Sequence, residues 1–108
     1  MMDRSALLGF IAAADKKLAE SYKVHDAEKL AYMRLAKLVE ETGELSAEVL
    51  KRFGRQHESK LVDGVKDDLE NELADVIITA LLLAKCLDVD PDRCLERKIE
   101  KIKKKLDL

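Results

Sequence analysis

The apolar positions of the chain recur every three to four residues in four blocks separated by short polar breaks. From about Arg4 to Tyr22, Leu7, Leu8, Ile11, Ala14 and Leu18 share one face, and Asp3 stands where it can cap the start of a helix. After the link YKVHD, Asp26 can cap a second helix that runs to Phe53 and stops at Gly54, a common place for glycine at a helix end. Leu35, Leu38, Leu45 and Val49 form its apolar stripe. The stretch GRQHESKLVDG, 54–64, has no such period and reads as a loop. A third helix starts near Val65 to Asp67 and ends near Leu87. Within DVDPDR, Asp90 as cap and Pro91 at the first helical position start a fourth, which carries Leu95, Ile99, Ile102 and Leu106 at helical spacing.

This pattern predicts an all-α protein, a four-helix bundle forming one domain over residues 1–108. One proline and four glycines supply little turn material, which disfavours a many-stranded β fold. With only 4% aromatic residues, the core must come from Leu, Ile, Val and Ala. Charged residues reach 39%, above the usual ~25%, yet they recur with the helical period and so mark wet faces instead of disorder. From Val76 to Ala84 the third helix is apolar around nearly its whole circumference, Thr79 excepted. Such a segment must be covered on several sides. Three other helices of this size cover only part of it, so the pattern predicts completion by homo-oligomerisation, as a dimer or a tetramer.

A net charge of −2 advertises neither nucleic-acid nor membrane binding. The one basic run, RKIEKIKKKL at 97–106, reads as an amphipathic helix with a solvated lysine face. Cys86 and Cys94 have no metal-type spacing and read as reduced thiols in a cytoplasmic protein. No secretory signal is legible at the start, and the apolar run is well short of the ~20 residues that a membrane span requires.

Two acidic clusters do not fit a plain amphipathic pattern: LVEETGEL at 38–45 and LENELADVI at 69–77. On the second helix Arg34, Lys37, Glu41, Glu44 and Glu48 share one stripe, and on the third Asp68, Glu72, Asp75 and Thr79 line up likewise. Residues three or four apart on a helix have Cβ atoms ~5–6 Å apart, so each cluster can aim two carboxylates at one point. Antiparallel packing of the two helices would let those points coincide. Four converging carboxylates repel one another unless a counter-ion lies between them. Neither cluster contains histidine, since His25 and His57 lie elsewhere, which disfavours zinc and the Glu-x-x-His di-iron arrangement. All-oxygen ligation suits a hard cation, Mg²⁺ with Mn²⁺ as a substitute, and such ions bind phosphates. The plainer alternative is a solvated face on which Lys37 and Glu41 make an ordinary pair. Two features oppose it. Glu72 and Asp75 stand at the mouth of the apolar stretch, where unpaired charge is costly. Gly43 costs the second helix ~1 kcal/mol relative to Ala, which suggests the close approach of a backbone or a ligand.

EETGEL followed downstream by ELADV resembles the Glu-Glu-x-x-Glu … Glu-x-x-Asp pattern of the MazG-like, all-α nucleoside triphosphate pyrophosphohydrolases. The resemblance spans the second and third helices, including Gly-Glu-Leu and the apolar run after Asp-Val. It implies Mg²⁺-dependent cleavage of a nucleoside triphosphate between its α and β phosphates, giving the monophosphate and pyrophosphate, as in nucleotide-pool house-cleaning. It carries the metal-ligand role to Glu41, Glu44, Glu72 and Asp75. Glu40, Glu44 and Glu48 are candidates for the base that prepares the attacking water. Candidates for phosphate contacts are Arg34 and Lys37 on the acidic stripe, then Lys98 and Lys101 on the last helix.

Some features depart from the family pattern. The Asn and Arg that often follow the lysine of the last helix are absent from KIEKIKKKL, and with no Trp any base stacking would fall to Phe10, Tyr22 or Tyr32. The related phosphoribosyl-ATP pyrophosphohydrolases carry a Tyr-His pair where this chain has ITALLL, so that reading ranks lower. The rival from another class is a non-catalytic helical oligomer, a nucleotide-sensing or antitoxin-like module.

Overall fold

Aspartates begin three of the four helices. Asp3 Oδ1 accepts the Ala6 N–H at 2.8 Å, Asp26 Oδ1 those of Glu28 and Lys29 at 2.9 and 3.2 Å, and Asp90 Oδ1 those of Asp92 and Arg93 at 3.0 and 3.5 Å. Each cap satisfies backbone donors that a helix leaves without partners, and each contributes about 1 kcal/mol. The computed structural model describes residues 1–23, 25–54 and 65–108, with the side chains of 65–67 left aside. Its elements are α1 (Arg4–Tyr22), α2 (Ala27–Arg52), α3 (Val65–Cys86) and α4 (Pro91–Leu106), and the described residues contain no strand. The predicted loop at 54–64 falls outside the described residues except for Gly54, whose φ of 69° is one that glycine adopts without strain.

α2 and α3 form an antiparallel pair, since rising positions on α2 meet falling positions on α3: Arg34 bonds Leu82, and Glu41 lies against Asp75. α1 packs on α3 and is joined to α2 through Asp15. Where the three helices meet, Ile11 and Leu82 are buried, and they are the only buried hydrophobic side chains among the described residues. The radius of gyration is 16.6 Å, wider than the ~13 Å of a compact domain of about this length.

The reason lies in uncovered faces. α3 is covered on one side only, and Leu73 and Ile77 face outward about half exposed. α2 leaves Leu35, Val39, Val49 and Leu50 exposed, and α4 buries no residue, so its stripe of Leu95, Ile99, Ile102 and Leu106 stands open. α4 is tied to α1 through Arg4, whose Nε lies 3.2 Å from Asp92. The all-round cover expected for residues 76–84 is therefore not supplied by the described part of this chain.

At Gly43 the expected close approach is not made by a backbone of the described chain. A Cβ built there meets no atom within 4 Å, the residue is exposed, and α2 runs through it without a break. No other part of the described chain makes the close approach expected at this glycine. None of the helices described is long and apolar enough to cross a membrane.

Candidate metal centre

The acidic residues that the two stripes bring together sit at matching levels of the α2–α3 pair. One carboxylate oxygen each from Glu41, Glu72 and Asp75 lie within 4.8 Å of one another. Glu41 is buried, Glu72 half-buried and Asp75 exposed, so the cluster grades from the helix interface out to solvent. Glu44 reaches the same place from one turn further along α2, close enough for its charge to act on Glu72. Neighbouring oxygens around an octahedral Mg²⁺ stand about 3 Å apart, a spacing that side-chain rotation can reach from this arrangement. Glu41 Oε2 and Glu72 Oε2 are shut off from solvent and have no hydrogen-bond partner among the described residues. A buried carboxylate oxygen without a donor is costly. The donor set therefore fits a hard divalent cation.

The electrostatics agree. Burial, then the charge of Glu44 and the hydrogen bond to it, then the charges of Asp75 and Glu41, push the Glu72 carboxyl up to about 7. A cation placed among these carboxylates would offset the repulsion between them. Lys37 Nζ lies 3.2 Å from Glu41 Oε1 and 3.3 Å from Glu40 Oε1, and these hydrogen bonds, Glu41 first, raise its pKa. Lys37 is half exposed, so the pairs are weak and easily exchanged. Glu48 is held differently: its Oε1 is 2.9 Å from Lys51 Nζ, both side chains are largely out of solvent, and its Oε2 has no partner among the described residues.

Of the candidates read from the sequence, Glu41, Glu44, Glu72 and Asp75 are thus brought together. Glu40 is exposed and tied to Lys37, and Glu48 stands one turn beyond Glu44, fixed by Lys51. Lys98 and Lys101 lie exposed on α4 and make no ion pair with the cluster. Arg34 shares the stripe, as expected, but its guanidinium points into the chain and is 5% exposed. It donates to the Asp15 carboxylate, to the Asp15 carbonyl at 3.3 Å and to the Leu82 carbonyl at 2.9 Å. The phosphate contact expected of Arg34 is corrected accordingly, because its donors are committed inside the protein.

Sequence reasoning passed over Asp15 and Lys51. Asp15 had a readable signal, an acid four residues after Ile11 and three before Leu18 on the apolar face of α1. Lys51, three residues after Glu48, extends the acidic stripe. The cavity of about 230 Å³ beside Leu8, Ile11, Leu81 and Pro91 lies at the α3–α4 turn. A groove of about 290 Å³ borders the acidic site itself, lined by Tyr22, Met33, Arg34, Ala36, Lys37 and Glu40.

An antiparallel helix pair that converges carboxylates from both of its helices defines an all-α protein with a candidate divalent-cation centre. Its family follows from the sequence as well: the chain belongs to the MazG-like family, whose model matches residues 35–108. The match takes in α2 from Leu35 onward and the whole of α3 and α4, and leaves out α1, Asp15 and Arg34. This family is related to nucleotide pyrophosphohydrolases and typically uses a divalent metal. Neither a curated protein nor a solved structure matches the chain.

Proposed function

We propose that the protein is a Mg²⁺-dependent nucleoside triphosphate pyrophosphohydrolase, acting on ribo- or deoxynucleotides to release the monophosphate and pyrophosphate. The observation that carries this reading is the convergence of Glu41, Glu72 and Asp75, with buried oxygens of Glu41 and Glu72 that find no donor among the described residues. Family membership supports the same chemistry. Glu41, Glu44, Glu72 and Asp75 would hold the metal. When bound, it would supply charge neutralisation of the phosphates and a water of lowered pKa.

The chain's own residues do the rest. Glu48, fixed by Lys51 and with one oxygen unpartnered, is the best placed of the three candidate bases to accept a proton, ahead of Glu44 and the exposed Glu40. Lys37, released from Glu41, would turn its ammonium to a phosphate oxygen. The groove beside Lys37 offers Tyr22 and Met33 as an apolar platform for the base. The thin core and the open stripes of α2, α3 and α4 support assembly into a homodimer or homotetramer, which would bring Lys98 and Lys101 of a second copy into reach of phosphates.

The test is pyrophosphate release from a panel of ribo- and deoxynucleoside triphosphates, with and without Mg²⁺, on material whose mass is fixed by sedimentation. Metal-dependent release that falls at least ~10²-fold in Asp75→Asn is expected. Metal binding with no turnover on any nucleotide would leave the nucleotide-sensing oligomer as the function.

A further inference from the structure

The carboxylates of the proposed centre can meet only if α2 and α3 are held at one register, and one side-chain bond crosses between these helices. Moving from Glu44 to Glu41 is three residues down α2, and moving from Glu72 to Asp75 is three residues along α3 in the same spatial direction. Seven residues further along each helix come Arg34 and Leu82, and these two are joined by the 2.9 Å bond from the guanidinium to the Leu82 carbonyl. Seven residues are about two helical turns, so the bond lies on the same pair of faces as the acids, about 10 Å away along the axis. From this we infer that Arg34 is the positioning residue of the cation site: it locks the α2–α3 register, with Asp15 of α1 orienting its guanidinium.

Other contacts between the two helices are poorly suited to that task. Leu38 and Leu45 on α2 and Val76 and Ile78 on α3 are aliphatic and only half-buried, and their side chains carry no directional bond. The acids repel one another and push the helices apart where the site must form. A slip by one turn, about 5.4 Å, would set Glu41 opposite Thr79 in place of Asp75. A guanidinium resists such a slip because it is planar and donates in fixed directions. Buried at 5% exposure, it cannot trade its protein acceptors for water, so letting go of Leu82 would leave a buried N–H donor without an acceptor. Asp15 holds the opposite edge from α1, through both its carboxylate and its carbonyl. Neither Arg34 nor Asp15 falls within the residues matched by the family model.

The inference rests on the cation-site reading, and it is tested by Mn²⁺ affinity of the full chain, from the paramagnetic resonance of free Mn²⁺, beside helicity and melting temperature. A residue that only stabilises the fold leaves the affinity of the folded molecules unchanged, whereas a register lock does not. Arg34→Met is expected to remain helical below its melting temperature and to bind Mn²⁺ at least ~10-fold more weakly. Asp15→Asn keeps an acceptor oxygen for Arg34 and leaves the Leu82 bond in place, so it should lose stability while its affinity stays within ~3-fold of the wild type. Wild-type affinity in folded Arg34→Met would overturn the inference, as would an equal loss in Asp15→Asn. If Arg34→Met does not fold, Arg34→Lys decides. It keeps the charge beside Asp15 but cannot span both partners, and should bind more weakly than wild type; unchanged affinity refutes the lock. A wild type that binds no Mn²⁺ removes the cation site itself, and the inference with it.

Discussion

Glu72→Gln is expected to melt above the wild type in EDTA at pH 8, and below it in saturating Mg²⁺. At pH 8 the wild-type Glu72 carboxylate is ionised among Glu41, Glu44 and Asp75, and burial deprives it of the water that would screen it. The amide removes one of the like charges, and its NH₂ can donate to a neighbouring carboxylate. For a domain near this size a gain on the order of 5 °C is the expected scale at low ionic strength, and salt trims it. Added Mg²⁺ reverses the order. At a hundredfold excess over Kd a bound ligand stabilises the native state by about 2.7 kcal/mol, roughly 10–20 °C here, and the variant forfeits most of that gain. Two thermal scans per protein suffice. If Glu72 were an ordinary surface acid, neither scan would move, and if it only supported the fold, the variant would melt lower in both.

The second large effect is the dependence on pH, and its sign follows from the same carboxyl. The pKa of Glu72 is raised in the folded protein, to about 7, above its ordinary carboxylate value of 4.5. The folded state therefore binds its proton more tightly than the unfolded state does. Its contribution is fully present below about 4.5 and is lost as pH rises through about 7. Metal-free protein should lose melting temperature from pH 5 to pH 8, the reverse of the usual carboxylate behaviour in acid. Cation binding runs the other way, because the ligand must be deprotonated. Between pH 5 and pH 7 the Mn²⁺ affinity should rise by up to ~10-fold per unit and then level off. Calorimetry in two buffers of different ionisation enthalpy should find close to one proton released per ion at pH 6. A flat affinity across that range would show that Glu72 does not ligate the ion.

Much of this was legible in the chain because the information was local. Asp3, Asp26 and Asp90 announce helix starts through the chemistry of their own side chains, and Pro91 fixes the fourth. The convergence of acids was legible for a similar reason: two acids three apart on each of two helices can meet when the helices pack side by side, which a hairpin supplies. What was not legible depended on a third element. Periodicity tells which face Arg34 occupies, but not that Asp15 of α1 would be waiting there to enclose it. Gly43 shows the same limit from the other side. Its cost to the helix is readable, but whether anything approaches it depends on neighbours that the sequence does not order in space. The cover of α3 belongs to the same class, since an apolar circumference records how much must be buried and not which surface does it.

The buried oxygens of Glu41 and Glu72 also bear on how the molecule folds. A chain folds without detours when each local preference agrees with the final arrangement, and here one place disagrees: docking α2 on α3 gathers charges that would rather part. The contact that opposes them, Arg34 with Leu82, joins segments 48 residues apart and cannot form until most of the chain has been traversed. The hairpin thus closes against electrostatic resistance at its centre, with its fastening late in the sequence. A divalent ion present during closure would remove that resistance, so the cation that serves the site would also smooth the path by which the site comes into being.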